Sequence, residues 1–275
     1  MTRLKSHDIA GVSAGLEKLD AELREKTGRS LFGIACHAAG IAGKTACDLI
    51  ASARVGVVPM TCGQGLIGGF ADTVRDIATH IGFDAFVTRH TDVAGIAEAF
   101  ERKADILMMA DDDRFIALNI KRHRVIDNAL ATGEGFAAGL DLMVGGLKDR
   151  RVLIIGCGSV GRSAAIACIK FGAKVSVYDV NRQRSVEVAE QLKDLSKVNI
   201  QYSLQTALSR YQLLIDATNS ANVIGEKEIT PDTFIAAPGI PLGLTEAAYA
   251  KVKDRLLHDP LQTGVATMGV MALVF

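Results

Sequence analysis

Apolar and polar residues alternate along this chain in a way that predicts strands separated by amphipathic helices. Apolar residues recur at steps of three and four between Ile9 and Leu23, which predicts a helix over Ser6–Lys26 that Ser6 caps and Gly28 ends. An alanine-rich helix is predicted over Leu31–Ser52. Further predicted elements are strands at Arg54–Met60, Asp84–Arg89 and Ala104–Ala110 and helices at Phe70–Ile81 and Val93–Arg102. This part of the chain is therefore expected to form a small α/β domain.

The second half of the chain repeats the alternation. It follows a basic stretch, Asn119–Val125, interpreted as a surface loop, and a glycine-dotted helix at 127–146, interpreted as a bridge between domains. The predicted strands are Arg151–Ile155, Lys174–Tyr178, Val198–Tyr202, Tyr211–Thr218, Phe234–Pro238 and Leu256–Pro260. The predicted helices are Ser159–Lys170, Gln183–Leu195, Thr245–Lys253 and Thr263–Phe275.

A glycine-rich turn follows the strand Arg151–Ile155. Gly156, Gly158 and Gly161 have the spacing G-x-G-x-x-G, in which the glycines permit a tight turn, leave room for a pyrophosphate and let the helix pack on the strand. The helix that begins with Ser159 and Val160 directs its N-terminal amides towards such phosphates. Because a strand precedes the turn and a helix follows it, the pattern favours dinucleotide binding over a plain turn.

Asp179 lies at the end of the next predicted strand, where a carboxylate accepts hydrogen bonds from the ribose hydroxyls of NAD. A carboxylate there repels the 2′-phosphate of NADP, so NAD is the expected cofactor, although nearby Arg182 leaves NADP open. Ala217, Thr218 and Pro238 end two further strands and are expected beside the nicotinamide ribose.

The predicted fold class is therefore α/β with two lobes. A smaller N-terminal domain at residues 1–146, which would hold the substrate, is followed by a Rossmann-type NAD-binding domain at residues 147–275. The apolar C-terminal helix is expected to pack between the domains.

Two features of the N-terminal domain are candidates for ligand binding. The strand Arg54–Met60 runs into a second glycine-rich loop, Thr61–Phe70, which holds more glycines than one turn needs; a ligand loop is favoured over a plain turn. Asp111, Asp112 and Asp113 follow a strand at the sheet edge where α/β proteins bind ligands. A solvated turn explains two of these carboxylates, and the third would suit an ammonium-bearing substrate.

Composition narrows the function classes. The chain has 275 residues with 31 basic and 31 acidic side chains, few aromatic residues and no tryptophan, so a nucleic-acid partner is not expected. The five cysteines and six histidines have no metal-ligand spacing, and no metal site is predicted. Residues 1–11 lack the apolar core of a signal peptide and no apolar run is long enough to span a membrane, which favours a cytoplasmic protein.

Several segments resemble the pyrrolysine biosynthesis proteins of the PylD family. They are Val55–Phe70, Gly82–Thr88, Ile106–Asp112, Pro238–Pro241 and Asp259–Leu261, and the resemblance extends from the first helix to the C-terminus. It implies the last step of pyrrolysine formation from L-lysine joined through its side-chain nitrogen to 3-methyl-D-ornithine. NAD would oxidise the terminal amine of the ornithine part, ammonia would be lost, and the remaining α-amine would close the pyrroline ring.

The resemblance also implies roles for individual residues. Asp111, Asp259 and Asn128 match catalytic-site positions of the family. Substrate contacts are implied for Leu4, Thr61, Cys62, Gly63, Gln64 and Gly65. Relative to the family member compared, Cys62 replaces a serine, Gln64 an asparagine and Asp259 a glutamate. No lysine or histidine is evident as a general base, and an ordered water is an equal candidate.

Two other functions fit the two-lobe pattern. One is a different NAD-dependent amine or amino-acid dehydrogenase, which would act on lysine or ornithine alone. The other is a non-catalytic NAD-binding protein, which would bind NAD without reducing it and would have little use for the Thr61 loop or Asp111. The apolar C-terminal helix and the alanine-rich helix are compatible with a homodimer.

Overall fold

A computed structural model describes residues 4–274 of the chain. In chain order its helices are α1 Ser6–Ile9, α2 Leu16–Thr27, α3 Leu31–Ala38, α4 Gly43–Ala51, α5 Phe70–His80, α6 Asp92–Glu101, α7 Asn128–Met143, α8 Ser159–Lys170, α9 Arg182–Leu192, α10 Leu204–Leu208, α11 Glu246–Val252 and α12 Gln262–Val274. Its strands are β1 Arg54–Val58, β2 Asp84–Val87, β3 Ile106–Ala110, β4 Phe115–Asn119, β5 Arg124–Asp127, β6 Arg151–Ile155, β7 Lys174–Tyr178, β8 Asn199–Ile200, β9 Leu213–Asp216, β10 Phe234–Ala236 and β11 Leu256–Leu257.

The described residues divide into two compact units. The first consists of residues 4–22, 30–131 and 261–274, and the second of residues 23–29 and 132–260. The boundary falls within α7, whereas the sequence placed it after that helix, at residue 146.

The sheet of the first unit has the strand order β2-β1-β3-β4-β5. The strands β2 and β3 flank β1 and run parallel to it, and β3, β4 and β5 are antiparallel neighbours. Because α5 leads from β1 to β2 on one side while β3 lies on the other, the segments after β1 and β3 diverge at a topological switch point. Ligands of open α/β sheets bind at such points, outside the carboxyl ends of the strands.

The prediction of a basic surface loop over Asn119–Val125 is wrong. Asn119 ends β4, the turn 120–123 follows, and Arg124 begins β5, so the segment is a β-hairpin. The strand β5 is at the sheet edge and its first residues are exposed, which is where charged side chains are tolerated in a strand. Because β5 carries charged residues, a prediction based on apolar runs did not identify it as a strand.

The two predicted N-terminal helices are each interrupted. The first breaks after Ile9, where Gly11 has φ +81°, and its N-cap is Lys5 rather than Ser6. The second breaks between α3 and α4 near Gly40, which has φ +63°. The expected end at Gly28 is confirmed, because this residue has φ +70° and donates its N–H to the Arg24 carbonyl.

The C-terminal helix α12 belongs to the first unit rather than to the dinucleotide unit. Its residues 262–273 are all buried, and it packs against α3, α4, α5, β4 and β5. Gly269 permits this approach, since a Cβ there would lie 3.1 Å from the Phe83 ring. At its carboxyl end, the Asn119 side chain donates to the Ala272 carbonyl at 2.9 Å. A helix that is apolar on every side must be enclosed, and here the enclosure is the N-terminal core.

The second unit contains a parallel sheet with the order β11-β10-β9-β6-β7-β8. This is the doubly wound order in which the chain starts at β6, builds one side and then crosses to β9. The predictions for β6, β7 and α8 are confirmed with their bounds, and the other four predicted strands are confirmed with shortened ends. Gly133 of α7 lets that helix pack closely on α8, because a Cβ would lie 2.5 Å from the Val160 carbonyl oxygen.

Candidate functional site

The glycine turn after β6 lies at the switch point of the second unit. Gly156 has φ +92°, and a Cβ on it would lie 2.8 Å from the Ala217 carbonyl oxygen after β9. A Cβ on Gly161 would lie 1.9 Å from the Gly156 carbonyl oxygen. Only glycine fits at these two positions, because one requires left-handed backbone and the other requires contact between the helix and the turn.

Gly158 differs from its two partners. A Cβ built on it meets nothing within 4 Å, and its φ of −73° is ordinary. Its absent side chain is therefore not explained by the fold, and it opens onto solvent at the start of α8. Ser159 is exposed beside it and Val160 is half-buried. This open approach to a helix N-terminus fits a dinucleotide pyrophosphate.

Asp179 directly follows β7 and lies next to the glycine turn, at the strand end where it was predicted. One of its carboxylate oxygens accepts a hydrogen bond from the Cys157 N–H at 2.7 Å, and the other accepts from the Asn181 N–H at 2.8 Å. Both contacts hold the carboxylate beside the turn. Arg182, the residue that left NADP open, lies over the Tyr202 ring with its guanidinium carbon 4.6 Å from the ring centre.

Ala217 and Thr218 follow β9 and meet the glycine turn. The Ala217 N–H donates to the Ile155 carbonyl, and the Gly239 N–H, next to Pro238, donates to the Asp216 carbonyl. Asp216 is fully buried; one carboxylate oxygen accepts from the Thr218 N–H and hydroxyl at 3.1 and 2.7 Å. Burial raises the pKa of Asp216 despite these hydrogen bonds. The segments that carry Ala217, Thr218 and Pro238 thus converge with the glycine turn.

The second glycine-rich loop, Thr61–Gly69, lies after β1 at the switch point of the first unit. Thr61 donates its N–H to Asp92 Oδ1 at 2.8 Å and its hydroxyl to Asp92 Oδ2 at 2.6 Å. Gln64 donates its N–H to Asp112 Oδ2 at 2.7 Å. Gly65 donates its N–H to the Cys62 carbonyl at 3.3 Å. The loop is therefore held by carboxylates from two neighbouring segments.

Asp111 occupies the tight turn between β3 and β4. Its Oδ1 accepts from the N–H groups of Asp113 and Arg114 at 2.8 and 2.7 Å. Hydrogen bonds from Arg114 and then Asp113 hold the pKa of this exposed carboxyl below its usual range. One carboxylate oxygen of Asp111 thus stabilises the turn, while the exposure and the charge of this side chain fit a ligand for an ammonium group.

The remaining predicted site residues lie apart in the chain. Asn128 is buried as the first residue of α7, directly after Asp127, whose carboxylate pairs with Arg114 of the Asp111 turn at 3.1 Å. Asp259 is buried in the second unit after β11. Leu4 is half-buried ahead of α1. The structure thus groups Thr61–Gly65 with the β3–β4 turn, and the cofactor residues with one another.

Prediction from the sequence missed Asp92 and undervalued Asp112. Asp92 begins α6 after β2, and Asp112 follows β3, so both acids stand at the carboxyl edge of strands that flank β1. The available signal was their position after a predicted strand. What the sequence lacked was the strand order, which alone places both acids beside the Thr61 loop.

The cysteines and histidines form no metal centre within residues 4–274. Cys157, inside the glycine turn, is buried with its sulfur 3.6 Å from the Ser185 hydroxyl, and burial raises its pKa to about 11. Such a thiol is not an activated nucleophile. None of the described helices combines the length and apolar character that crossing a membrane requires.

Solved structures share this fold. Quinate dehydrogenase from Corynebacterium glutamicum, in complex with NAD, has a TM-score of 0.56 at 12% identity over 81% of this chain and 93% of its own. Shikimate dehydrogenase from Aquifex aeolicus has a TM-score of 0.55 at 13% identity over 80% and 92%. Residues 126–230 match the family described as Alanine dehydrogenase/PNT, C-terminal domain. The class that the fold defines is therefore a two-unit α/β protein whose second unit is a Rossmann-type domain.

The particular family follows from closer relatives. The chain is 32% identical over 269 residues to pyrrolysine synthase of Methanosarcina acetivorans, covering 98% of both proteins. It is 31% identical to pyrrolysine synthase of Methanosarcina barkeri over 98% of this chain and 97% of that protein. Residues 8–126 match the family described as Pyrrolysine biosynthesis protein PylD, N-terminal domain. The chain belongs to the PylD family of pyrrolysine synthases and is an oxidoreductase.

Proposed function

We propose that this protein catalyses the NAD-dependent last step of pyrrolysine formation. The substrate is L-lysine joined through its Nε to 3-methyl-D-ornithine, and the reacting group is the terminal amine of the ornithine part. The observation that carries the proposal is the identity to a pyrrolysine synthase over 98% of both chains. Residues 8–126 also match the N-terminal domain of this family.

The proposed cofactor is NAD rather than NADP. Asp179 is held beside the glycine turn by the N–H groups of Cys157 and Asn181, so its charge faces any group bound at the adenosine ribose. A carboxylate there accepts from ribose hydroxyls and repels a 2′-phosphate. Arg182 is engaged with Tyr202, which reduces its availability to a phosphate.

The proposed substrate carries several ammonium groups, and the first unit offers carboxylates for them. Asp111 is exposed, ionised and held in orientation through one of its oxygens, which leaves Oδ2 to receive an ammonium. The Thr61–Gly65 loop is exposed on the same sheet edge and provides further polar groups. The catalytic roles of Asn128 and Asp259 are proposed from the family resemblance alone.

The protein's part in the reaction is to bind, orient and deprotonate. Bound NAD supplies the hydride acceptor. Hydride leaves the amine-bearing carbon once the ammonium has lost a proton, because a neutral nitrogen can share its lone pair with the carbon. The resulting imine takes up one water and releases ammonia to give an aldehyde. The remaining α-amine condenses with this aldehyde and releases one water, which closes the pyrroline ring. Asp111 holds the amine so that one proton can pass to an ordered water.

The experiment is NADH formation with the synthetic isopeptide, with product mass measured in parallel. The expected result is one NADH and one ammonia for each pyrrolysine. NADH formation with lysine or ornithine alone, and none with the isopeptide, would instead identify another amine dehydrogenase. NAD binding in a titration without any NADH formation would leave a non-catalytic binding protein.

A further inference from the structure

The Thr61–Gly69 loop, which we call the glycine loop, is bracketed by two acids from neighbouring strands. It leaves β1, the strand that lies between β2 and β3. Asp92 comes from the segment after β2, and Asp112 from the turn after β3. Because the three strands are parallel, their carboxyl ends meet at one edge, and each acid reaches the glycine loop from its own side.

Asp92 fixes the first residue of the glycine loop. Its two oxygens accept the N–H and the hydroxyl of Thr61, and its own N–H donates to the Pro59 carbonyl at 3.0 Å. The backbone of Asp92 has φ +53°, an uncommon conformation for a residue with a side chain. The hydrogen bonds from the Thr61 hydroxyl and then its N–H hold the pKa of Asp92 below its usual range.

This contact decides the hydrogen-bonding role of Thr61. An ionised carboxylate only accepts hydrogen bonds, so the Thr61 hydroxyl must donate its single proton to Asp92. Thr61 is an exposed residue, and its hydroxyl oxygen then presents only lone pairs to a ligand. Thr61 is thereby set as an acceptor, which suits an ammonium group and does not suit a carboxylate.

Asp112 fixes the middle of the glycine loop in a similar way. Its Oδ2 accepts the Gln64 N–H at 2.7 Å. A Cβ built on Gly63 would lie only 2.1 Å from this Oδ2 atom, so a side chain there would clash with Asp112. Gly63 has φ +69° and so is favoured as glycine both by its backbone and by the approach of Asp112. With the N–H groups of Thr61, Gln64 and Gly65 engaged within the protein, these amides are withdrawn from the anion-binding role common in glycine loops.

We infer that Asp92 and Asp112 are positioning residues that hold the glycine loop in the form that accepts the cationic end of the substrate. The inference rests on the proposed function for the identity of the substrate. Neither acid is a catalytic residue in this scheme. Asp92 acts through Thr61, and Asp112 acts through Gln64 and Gly63.

The test variants are Asp92→Asn and Asp112→Asn. Asparagine keeps the size and tolerates the left-handed backbone at 92, so the fold is retained. Its amide nitrogen donates, so at 92 it loses one of the two hydrogen bonds or forces the Thr61 hydroxyl to accept instead. The matched control is Asp113→Asn, which removes the same charge from an exposed side chain in the same turn as Asp112.

The enzyme assay separates positioning from a general loss of stability. For Asp92→Asn and Asp112→Asn the KM for the isopeptide is expected to rise roughly tenfold, as expected for loss of a charged hydrogen bond, with a smaller change in kcat. The Kd for NAD should stay the same. In a Thr61→Val background the Asp92→Asn change should add little, whereas Thr61→Ser should behave like wild type. An equal rise in KM for Asp113→Asn would overturn the inference, because charge alone would then explain the effect.

A second measurement does not depend on the substrate. Amide hydrogen exchange of peptides covering residues 59–69 should accelerate by roughly tenfold or more in both variants and remain unchanged in Asp113→Asn. Unchanged exchange would overturn the inference even if the isopeptide proved to be the wrong substrate. Faster exchange with an unchanged KM would also overturn it, since the acids would then be structural only. Failure of the wild type to turn over the isopeptide would refute the proposed function, and the exchange result would then decide whether Asp92 and Asp112 hold the glycine loop.

Discussion

Gly158→Ala is expected to weaken cofactor binding by roughly tenfold to a hundredfold without loss of stability. Gly158 is the N-cap of α8 and has φ −73°, so alanine adopts its backbone without strain. The added methyl group meets no atom of the protein within 4 Å. The added methyl group therefore creates no clash within the protein, and its main consequence concerns what binds in that space.

The magnitudes follow from these facts. Alanine is a poorer N-cap than glycine by about 0.5 kcal/mol, but it restricts the unfolded chain by about 0.4–1 kcal/mol, so the two effects roughly cancel. The methyl group keeps a pyrophosphate away from the amides at the start of α8. Loss of even one charge-assisted hydrogen bond, about 1.5–3 kcal/mol, weakens NAD binding by roughly tenfold to a hundredfold.

The assay is the Kd for NAD by calorimetric titration, with the free energy of unfolding measured in urea. Gly161→Ala is the comparison, because its Cβ would lie 1.9 Å from the Gly156 carbonyl oxygen. That variant is expected to lose both NAD binding and about 1–3 kcal/mol of stability from overpacking. Unchanged NAD affinity in a stable Gly158→Ala protein would show that no pyrophosphate approaches Gly158.

Three further predictions concern acidic residues. Asp179→Ala should raise the KM for NAD severalfold and narrow any preference over NADP, measured in parallel assays with both cofactors; equal NAD kinetics would remove Asp179 from the site. Asp111→Asn should lower turnover at least tenfold with an unchanged Kd for NAD, and wild-type turnover would exclude its role. Burial raises the pKa of Glu98, but hydrogen bonds from His90, Arg102 and Arg89 outweigh burial and lower this pKa to about 2. The ionised Glu98 carboxylate therefore stabilises the folded protein fully above pH 4.5, and this contribution is lost as the pH falls towards 2. The difference in Tm between wild type and Glu98→Gln should shrink over that pH range.

The second unit was predictable because its signals are local. The strand Arg151–Ile155, the glycines after it and the acid at the end of Lys174–Tyr178 are contiguous in sequence. Gly156 and Gly161 each have a backbone reason that acts within a few residues: Gly156 has a positive φ, and a Cβ on Gly161 would meet the Gly156 carbonyl oxygen. Periodicity and turn chemistry are therefore sufficient to place these elements to within a few residues.

The first unit was predictable only in part. The helices predicted over Ser6–Lys26 and Leu31–Ser52 break near Gly11 and Gly40, where the apolar periodicity continues but the backbone turns. The edge strand Arg124–Asp127 lacks a strand pattern because its first two residues are both exposed. Its hairpin partner Phe115–Asn119 is positioned by antiparallel pairing with β3, and no local sequence pattern specifies this pairing.

Local sequence thus determined the α/β class, the glycine turn with Asp179, and the existence of a second glycine-rich loop at Thr61. Tertiary structure decided which groups act on that loop. Asp92 and Asp112 lie 31 and 48 residues away from their partners Thr61 and Gln64, and only the order β2-β1-β3 brings them to one edge. Contacts between distant segments depend on how strands pair, and strand pairing is a property of the whole sheet rather than of any one segment.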